Sequence, residues 1–338
     1  MDSIITSPAI SVIMPVYNAG EFIKEAIESI LHQSFTDFEF FIIDDASTDD
    51  SVSTIKSFAD QRIRFIQKPV NTGYTDSLNM AIGLAKGKYI ARMDADDIAM
   101  PHRFAKQIKY MEANKDALVL GTAYKIIDSE TIITLPVTYE ETKVISIMHV
   151  PVAHPTVMIR STVFTGNGMQ YNKKYEPAED YDLWTRILEK GKIENLAEPL
   201  LQYRQHAAQQ SITRHGSLLE AAIEIRLRQL NKLVSFDDKP YDVLFAIEVL
   251  TMQSLTVNGI VLKKLAQIIL DMEAGNNRVK LYDEKLLASY LRERWLFYIF
   301  KLSRPSIKDL LLLGIIRQSD ITKMGFFFEL KFLKRMLF

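Results

Sequence analysis

The sequence predicts an α/β fold: a Rossmann-like, mostly parallel sheet with helices on both faces, followed by a helical C-terminal region. Three observations carry this expectation. Short β-branched runs alternate with amphipathic stretches through the first part of the chain, a pattern that needs crossover connections and therefore parallel strands. Polar and acidic clusters recur at the carboxyl ends of those runs, where open parallel sheets bind their ligands. After His206 the strand-like pattern stops and only helical periodicity continues.

Residues 10–14, Ile-Ser-Val-Ile-Met, are a first strand that Pro15 is expected to end. Phe22, Ala26, Ile27, Ile30 and Leu31 then fall at helical spacing within 21–33. Residues 38–43 form a second strand running into Asp44 and Asp45, with a helix marked by Val52, Ile55 and Phe58 behind it. Residues 62–67 are a third strand, 76–86 a helix, and 88–93 a fourth strand that ends in Arg92-Met93-Asp94-Ala95-Asp96-Asp97. Tyr17 and Asn18 follow the first strand, Asp44 and Asp45 the second, Asp94 and Asp96 the fourth, so three strand ends point at one crevice. In the C-terminal region, Leu219, Ile223, Leu227, Leu230 and Val234 share a helical stripe. Stretches 241–255, 261–272 and 285–300 are also helical, with Gly275-Asn276-Asn277 as the clearest turn. The expected division is a sheet domain over 1–215 and a helical region over 216–338.

Carboxylates gathered at the end of a buried strand repel one another unless a cation neutralises them. Oxygen ligands on a tight turn suit Mg²⁺ or Mn²⁺, and an ion held by one or two carboxylates keeps positions open for the phosphates of a nucleotide. The plainer alternative is that Asp96 and Asp97 only shape a turn before the helix near Pro101. No Gly-x-Gly-x-x-Gly or Walker-type loop follows the first strand, so a bound diphosphate must be held by metal instead of a nest of backbone amides.

Composition removes other classes. A formal charge of −1 and a pI near 6.6 give no basic field, so no nucleic-acid partner is expected. The absence of cysteine excludes disulfides, thiolate catalysis and Cys-ligated zinc, and fits a reducing compartment. The run 10–16 is too short for a signal peptide, and no segment reaches the roughly 20 apolar residues of a membrane span. A cytoplasmic protein, free or peripheral on the inner face of the cell membrane, is expected.

Four motifs in order over 10–121 resemble the family-two glycosyltransferases of GT-A fold: Ser11-Val12-Ile13-Met14-Pro15-Val16-Tyr17-Asn18, Ile43-Asp44-Asp45-Ala46-Ser47-Thr48-Asp49, Asn71-Thr72-Gly73 and Met93-Asp94-Ala95-Asp96-Asp97. The stretch into Pro101 and Arg103 is most similar to the bacterial branch that builds exopolysaccharide, capsule or lipopolysaccharide. Later segments fit the same resemblance: His154-Pro155-Thr156-Val157-Met158 beside the acceptor, Glu179-Asp180-Tyr181-Asp182-Leu183-Trp184 as the catalytic motif, and Tyr203-Arg204-Gln205-His206 with Ser211 as a loop over the donor phosphates.

The resemblance implies an inverting transfer from a nucleotide-sugar. Pro15, Tyr17, Asn18, Asp45, Asn71, Arg92, Asp94 and Arg204 would hold the nucleotide, with Tyr17 against the base and Asp45 accepting from an imide, which favours a UDP-sugar. Tyr17 as a core residue and Asp45 as an Asx-turn are the alternatives. Asp96, Asp94 and His206 would hold Mn²⁺ or Mg²⁺, and Asp97 would support the next helix. Asp180 is expected as general base, with Glu179 orienting it or the acceptor and Asp182 as a further candidate. His154 and Trp184 would line the acceptor site. An acidic first turn favoured by the helix dipole is an alternative reading of Glu179-Asp180.

The chain also departs from the family. It lacks the Gln-x-x-Arg-Trp of processive members, which implies addition of one sugar to a glycan or lipid-linked acceptor. Ser77-Leu78-Asn79 stands where many relatives have Ala-Arg-Asn, a loss that Arg92 or Arg103 would make good. A sugar nucleotidyltransferase and a non-catalytic sugar-nucleotide-binding subunit are the competing functions. Finally, residues 321–338 set Phe326, Leu330, Leu333 and Leu337 on one helical stripe and Lys331, Lys334 and Arg335 opposite. That pattern suits peripheral contact with an anionic membrane or, equally, docking on the chain itself or a second subunit of a homo-oligomer.

Overall fold

The computed structural model describes residues 7–166, 168–206, 209, 215–237, 239, 241–252 and 257–301, without the side chains of residues 215 and 299–301. The chain forms two compact units, Met1–Ser146 with Val150–Ile225, and Ile147–His149 with Arg226–Phe338. Ser211 and the whole stretch 321–338 lie outside the described residues.

The first unit is a sheet of nine described strands. Its sequence-first block is all parallel: β1 (Ile10–Val16) lies between β2 (Phe38–Asp44) and β4 (Tyr89–Arg92), and β3 (Ile63–Gln67) flanks β2. The helices α1 (Ile23–Leu31), α2 (Ser51–Lys56) and α3 (Tyr74–Leu84) make the crossovers. The second block is mixed: β8 (Met158–Arg160) pairs antiparallel with β4 and with β6 (Ala117–Ile126). In this block β9 (Lys192–Tyr203) runs parallel to β6 and antiparallel to β5 (Ile98–Ala99), and β7 (Ile132–Ile133) pairs with β6. Its helices are α4 (Arg103–Ala113), α5 (Tyr139–Ile145), α6 (Thr162–Thr165) and α7 (Glu179–Ile187).

Strand alternation sends side chains to two cores. Val12, Met14 and Val16 pack with Ile23, Ile27 and Ile30 of α1 and Phe104 of α4. On the other face Ile13, Phe41 and Ile43 meet Leu78 and Ala81 of α3 and Leu183, Trp184 and Ile187 of α7. Strand β1 does not stop before Pro15 as expected. Its pairing with β4 ends at Ile13, so from there on only β2 neighbours it, and the missing N–H of Pro15 leaves the ladder with β2 intact to Val16.

Arg103 also departs from expectation. It is fully buried and donates to the carbonyls of Arg92 at 2.8 Å and Val157 at 3.3 Å, and to Gln107 Oε1 at 3.2 Å. It ties α4 to the strand ends and is spent there, so it cannot replace the absent arginine at Leu78, itself a core residue.

The second unit is helical: α8 (His215–Leu230) leads into it, followed by α9 (Val243–Leu250), α10 (Gly259–Val279) and α11 (Glu284–Lys301). Asn258 caps α10, accepting from the N–H groups of Ile260 at 2.9 Å and Val261 at 3.0 Å. Gly275-Asn276-Asn277 is not a turn but the interior of α10. Gly275 is there because a Cβ would stand 2.0 Å from the Leu233 carbonyl oxygen. Buried Asn276 exchanges two hydrogen bonds of 2.9 Å with the backbone of Tyr282, fixing the chain beyond the helix. Among the described residues, no helix is long and apolar enough to cross a membrane.

Candidate active site

A cleft of 850 Å³ opens at the carboxyl ends of β1, β2 and β4, within the first unit. Of the residues expected from sequence, Pro15, Tyr17, Asn18, Asp45, Asn71, Arg92, Asp94, Asp96, His154, Glu179, Asp180 and His206 all line it.

The loops after β1 and β2 are buttoned together. Asn18 has a φ of 52°, a conformation asparagine tolerates, and its side-chain oxygen accepts the Thr48 N–H at 2.9 Å while its own N–H donates to Ser47 Oγ at 2.9 Å. Tyr17 is thereby left 51 % exposed at the cleft rather than in the core. Asp44 closes the turn after β2, accepting the Ser47 N–H three residues on at 3.2 Å. Asp45 instead reaches the third strand end. Its carboxylate accepts the N–H groups of Thr72 and Gly73, both at 2.9 Å.

On the acidic turn, single oxygens of Asp94, Asp96 and Asp97 lie within 4.8 Å of one another. Burial raises the Asp94 carboxyl, helped by Asp96 and opposed by its ion pair with Arg92. Asp97 is fully buried and pushed well up by burial and by its two neighbours. It does not serve the next helix, whose N-cap is His102. Its Oδ1 accepts the Arg204 N–H at 2.9 Å, and its Oδ2 has no hydrogen-bond partner. His206 Nε2 sits 2.9 Å from Asp96 Oδ2. Arg204 donates to the Asp96 carbonyl at 2.9 Å and to Glu25 Oε2 at 2.5 Å, so it braces the turn and does not line the cleft. Three clustered carboxyl groups, with Asp94 and Asp97 raised, an orphaned oxygen on Asp97 and an adjoining imidazole fit a hard divalent cation.

Across the cleft, Glu179 and Asp180 open α7. Burial pushes Asp180 up to about 6, against the Tyr181 N–H, which donates to it at 2.6 Å, and the charge of Arg92. Burial and the neighbouring Asp180 push Glu179 up to about 8, and its Oε2 is buried without a hydrogen-bond partner. Asp182 is ruled out as an alternative base. It is buried and its Oδ2 accepts from Arg186 at 2.9 Å.

Trp184 does not reach the acceptor side of the cleft: it is fully buried in the core because α7 turns that face onto the sheet. Its ring lies edge-on to His154 at 5.7 Å. His154 is held neutral by burial and Arg92, with Nε2 2.8 Å from the Tyr171 hydroxyl, which makes it a buttress at the cleft wall.

Sequence reasoning missed Lys68, Tyr74 and Glu176, and it named Tyr203 within a motif without giving it a role of its own. Tyr74, Glu176 and Tyr203 line the cleft, and Glu176 accepts the Thr75 N–H at 3.3 Å. Glu176 carried a signal, since it stands three residues before a motif that was recognised. Lys68 carried none: a lysine after a strand usually points to solvent.

Residues 11–175 match the family model described as "Glycosyl transferase family 2". An uncharacterized glycosyltransferase of Haemophilus influenzae is 30% identical over 275 residues, covering 76% of this chain and 84% of that protein. The UDP-Glc:alpha-D-GlcNAc-diphosphoundecaprenol beta-1,3-glucosyltransferase WfaP of Escherichia coli is 31% identical, covering 69% of this chain and 88% of that one. Two solved structures share the fold at low identity. The S. aureus TarS fragment in complex with UDP-GlcNAc has a TM-score of 0.56 at 17% identity, covering 86% of this chain and 90% of that chain. The mannosyltransferase PcManGT of Pyrobaculum calidifontis, in complex with GDP-Man and Mn²⁺, has a TM-score of 0.52 at 16% identity, covering 91% and 88%.

Proposed function

The chain belongs to glycosyl transferase family 2 and is a glycosyltransferase with the GT-A fold, and from that premise we propose a metal-dependent, inverting enzyme that transfers one sugar per encounter. The donor is a nucleoside-diphosphate sugar, UDP-sugar favoured, and the acceptor a hydroxyl of a glycan or lipid-linked glycan in bacterial surface polysaccharide assembly. One observation carries the reading: a single cleft has a cation-demanding acidic turn on one wall and a raised, solvent-reachable carboxyl, Asp180, on the other.

Tyr17 supplies a stacking face for the base, and Asp45 and Asn71 supply an acceptor and a donor for its edge. Asp94, Asp96 and His206 would hold Mn²⁺ or Mg²⁺, with Arg204 and Asp97 fixing the turn from behind. When bound, the ion stabilises the negative charge that gathers on the departing diphosphate. Asp180, ionised above about pH 6, takes the proton from the acceptor hydroxyl as that oxygen bonds to the anomeric carbon. The bond from that carbon to the diphosphate breaks on the opposite face, the electron pair leaving with the phosphate oxygen. Arg92 lies between the two walls and offsets both sets of carboxylates.

The Escherichia coli relative, named for a diphosphoundecaprenol-linked acceptor, supports a lipid-linked acceptor here. The test is release of nucleoside diphosphate from UDP-, dTDP- and GDP-sugars with and without Mn²⁺, in the presence of polyprenyl-diphosphate-linked glycans. Metal-dependent turnover of a UDP-sugar is expected. Turnover independent of divalent metal, or transfer of a nucleotidyl group, refutes the reading.

A further inference from the structure

Lys68 follows β3, and its side chain runs back beneath the base-binding wall, 6 % exposed. Its ammonium lies 2.5 Å from Asp45 Oδ1, 2.5 Å from Thr72 Oγ1 and 3.0 Å from Ser77 Oγ. The ammonium donates to the two hydroxyls and its charge is paired with the Asp45 carboxylate, so the protein itself takes up all three contacts. Lys68 therefore has nothing left for a ligand and is absent from the cleft lining. What it does is decide which lone pairs of Asp45 remain.

The carboxylate offers about four acceptor positions. On Oδ1 the Thr72 N–H fills one, and the Lys68 ammonium, ion-paired at 2.5 Å, blocks a second. On Oδ2 the Gly73 N–H fills a third. One position is left, on Oδ2 of a residue that lines the cleft. Asn71 is oriented by the same turn. Its Oδ1 accepts the Gly73 N–H at 3.1 Å, which leaves its amide N–H groups for the cleft. The wall thus presents one acceptor beside one donor in a fixed order.

We propose that Lys68 is a positioning residue for donor-base selection: by occupying Asp45 Oδ1 and bracing the turn at Thr72, it leaves a single acceptor that takes an imide N–H and disfavours the amino edge of cytosine. The inference rests on the reading of Asp45 as the base contact. Uracil places an N–H between two carbonyls, whereas cytosine places a bare nitrogen beside an amine, so in the register fixed by ribose and diphosphate it sets a lone pair against the carboxylate. Freed from Lys68, the carboxylate regains a second acceptor and keeps only the Thr72 and Gly73 N–H groups as anchors, and so meets either edge.

The experiment is a double-mutant cycle read by calorimetry with UDP and with CDP in Mn²⁺, on wild type, Lys68→Met, Asp45→Asn and the double variant. Wild type is expected to prefer UDP, and Lys68→Met to lose about tenfold or more of that preference. The double variant has no unpaired buried charge and so keeps the test usable if Lys68→Met alone unfolds. Its UDP-to-CDP ratio should equal that of Asp45→Asn, because Lys68 acts through Asp45. A Lys68→Met enzyme that keeps the wild-type ratio overturns the inference, as does a Lys68 effect on the ratio that is the same size with or without Asp45. A wild type indifferent to the base removes the Asp45 reading, and this inference with it.

Discussion

Replacing Asp180 by asparagine is expected to slow the enzyme and, at neutral pH, to stabilise it. Folding raises the Asp180 carboxyl from its ordinary 3.8 to about 6, chiefly by burial. The folded chain therefore holds this proton more tightly than the unfolded one. Stability from the group is fully present below pH 3.8 and is lost as pH rises through about 6. Above that, the desolvated carboxylate costs at most about 3 kcal/mol, less for the part of it that water reaches. Asparagine keeps an oxygen for the 2.6 Å bond from the Tyr181 N–H and carries no charge. The variant should melt a few degrees higher than wild type at pH 7, at roughly 2–4 °C per kcal/mol, and the gap should close by about pH 4. Turnover, measured by nucleoside diphosphate release, should fall by about 10² or more, and the wild-type loss of rate below about pH 6 should be absent from what remains. A variant with near-normal turnover, or one less stable than wild type at pH 7, would refute the reasoning.

Asp96→Ala should abolish metal-dependent donor binding in calorimetry, since the turn loses the carboxylate that adjoins His206; unchanged affinity removes Asp96 from the metal site. Tyr17→Ala should weaken UDP by about ten- to a hundredfold, the worth of one stacked base, while leaving metal affinity alone; equal loss of both points to misfolding. Gly275→Ala should destabilise the helical unit by about 1–3 kcal/mol or more, read as a lower thermal transition, because its Cβ would sit 2.0 Å from the Leu233 carbonyl; an unchanged transition shows that the two segments separate freely. Full-length protein should co-sediment with anionic vesicles in a salt-sensitive way and a chain ending at Asp320 should not; binding by neither assigns 321–338 to protein packing.

Legibility in the sequence followed the physics of each signal. The parallel block was readable because β-branched runs and helical stripes alternate there with short loops, and its strand ends carry acids that no core would keep. The second block escaped notice: β5, β7 and β8 have only two or three residues each, too few for a period to show. Pro15 and Gly275 misled for one reason. Each was read as a local breaker, but Pro15 faces a side where pairing has already ended and Gly275 answers a close approach from Leu233, both facts of tertiary structure. The cleft-lining site residues were legible through their motifs, whereas Trp184, Arg103 and Asp97 belong to motifs yet point inward. Spacing says which residues travel together and not which face they turn. Lys68 was invisible, since its role exists only once Asp45, Thr72 and Ser77 surround it.

The seam between the two blocks of the sheet is narrow. Strand β4 meets β8 through Tyr89↔Arg160, Ile90↔Ile159 and Ala91↔Met158, three residues on each side. Everything before the seam that lines the cleft faces the nucleotide in the proposed reading, and Glu179 and Asp180 come after it. The two blocks are also contiguous in the chain, the acidic turn marking the crossover. Relatives should therefore be able to trade acceptor preference by recombination near residue 100 without disturbing donor choice, provided the three pairs at the seam and the contacts of Arg204 and His206 with the acidic turn are kept. Chimeras joined there are a practical route to new glycosidic linkages on an unchanged sugar nucleotide.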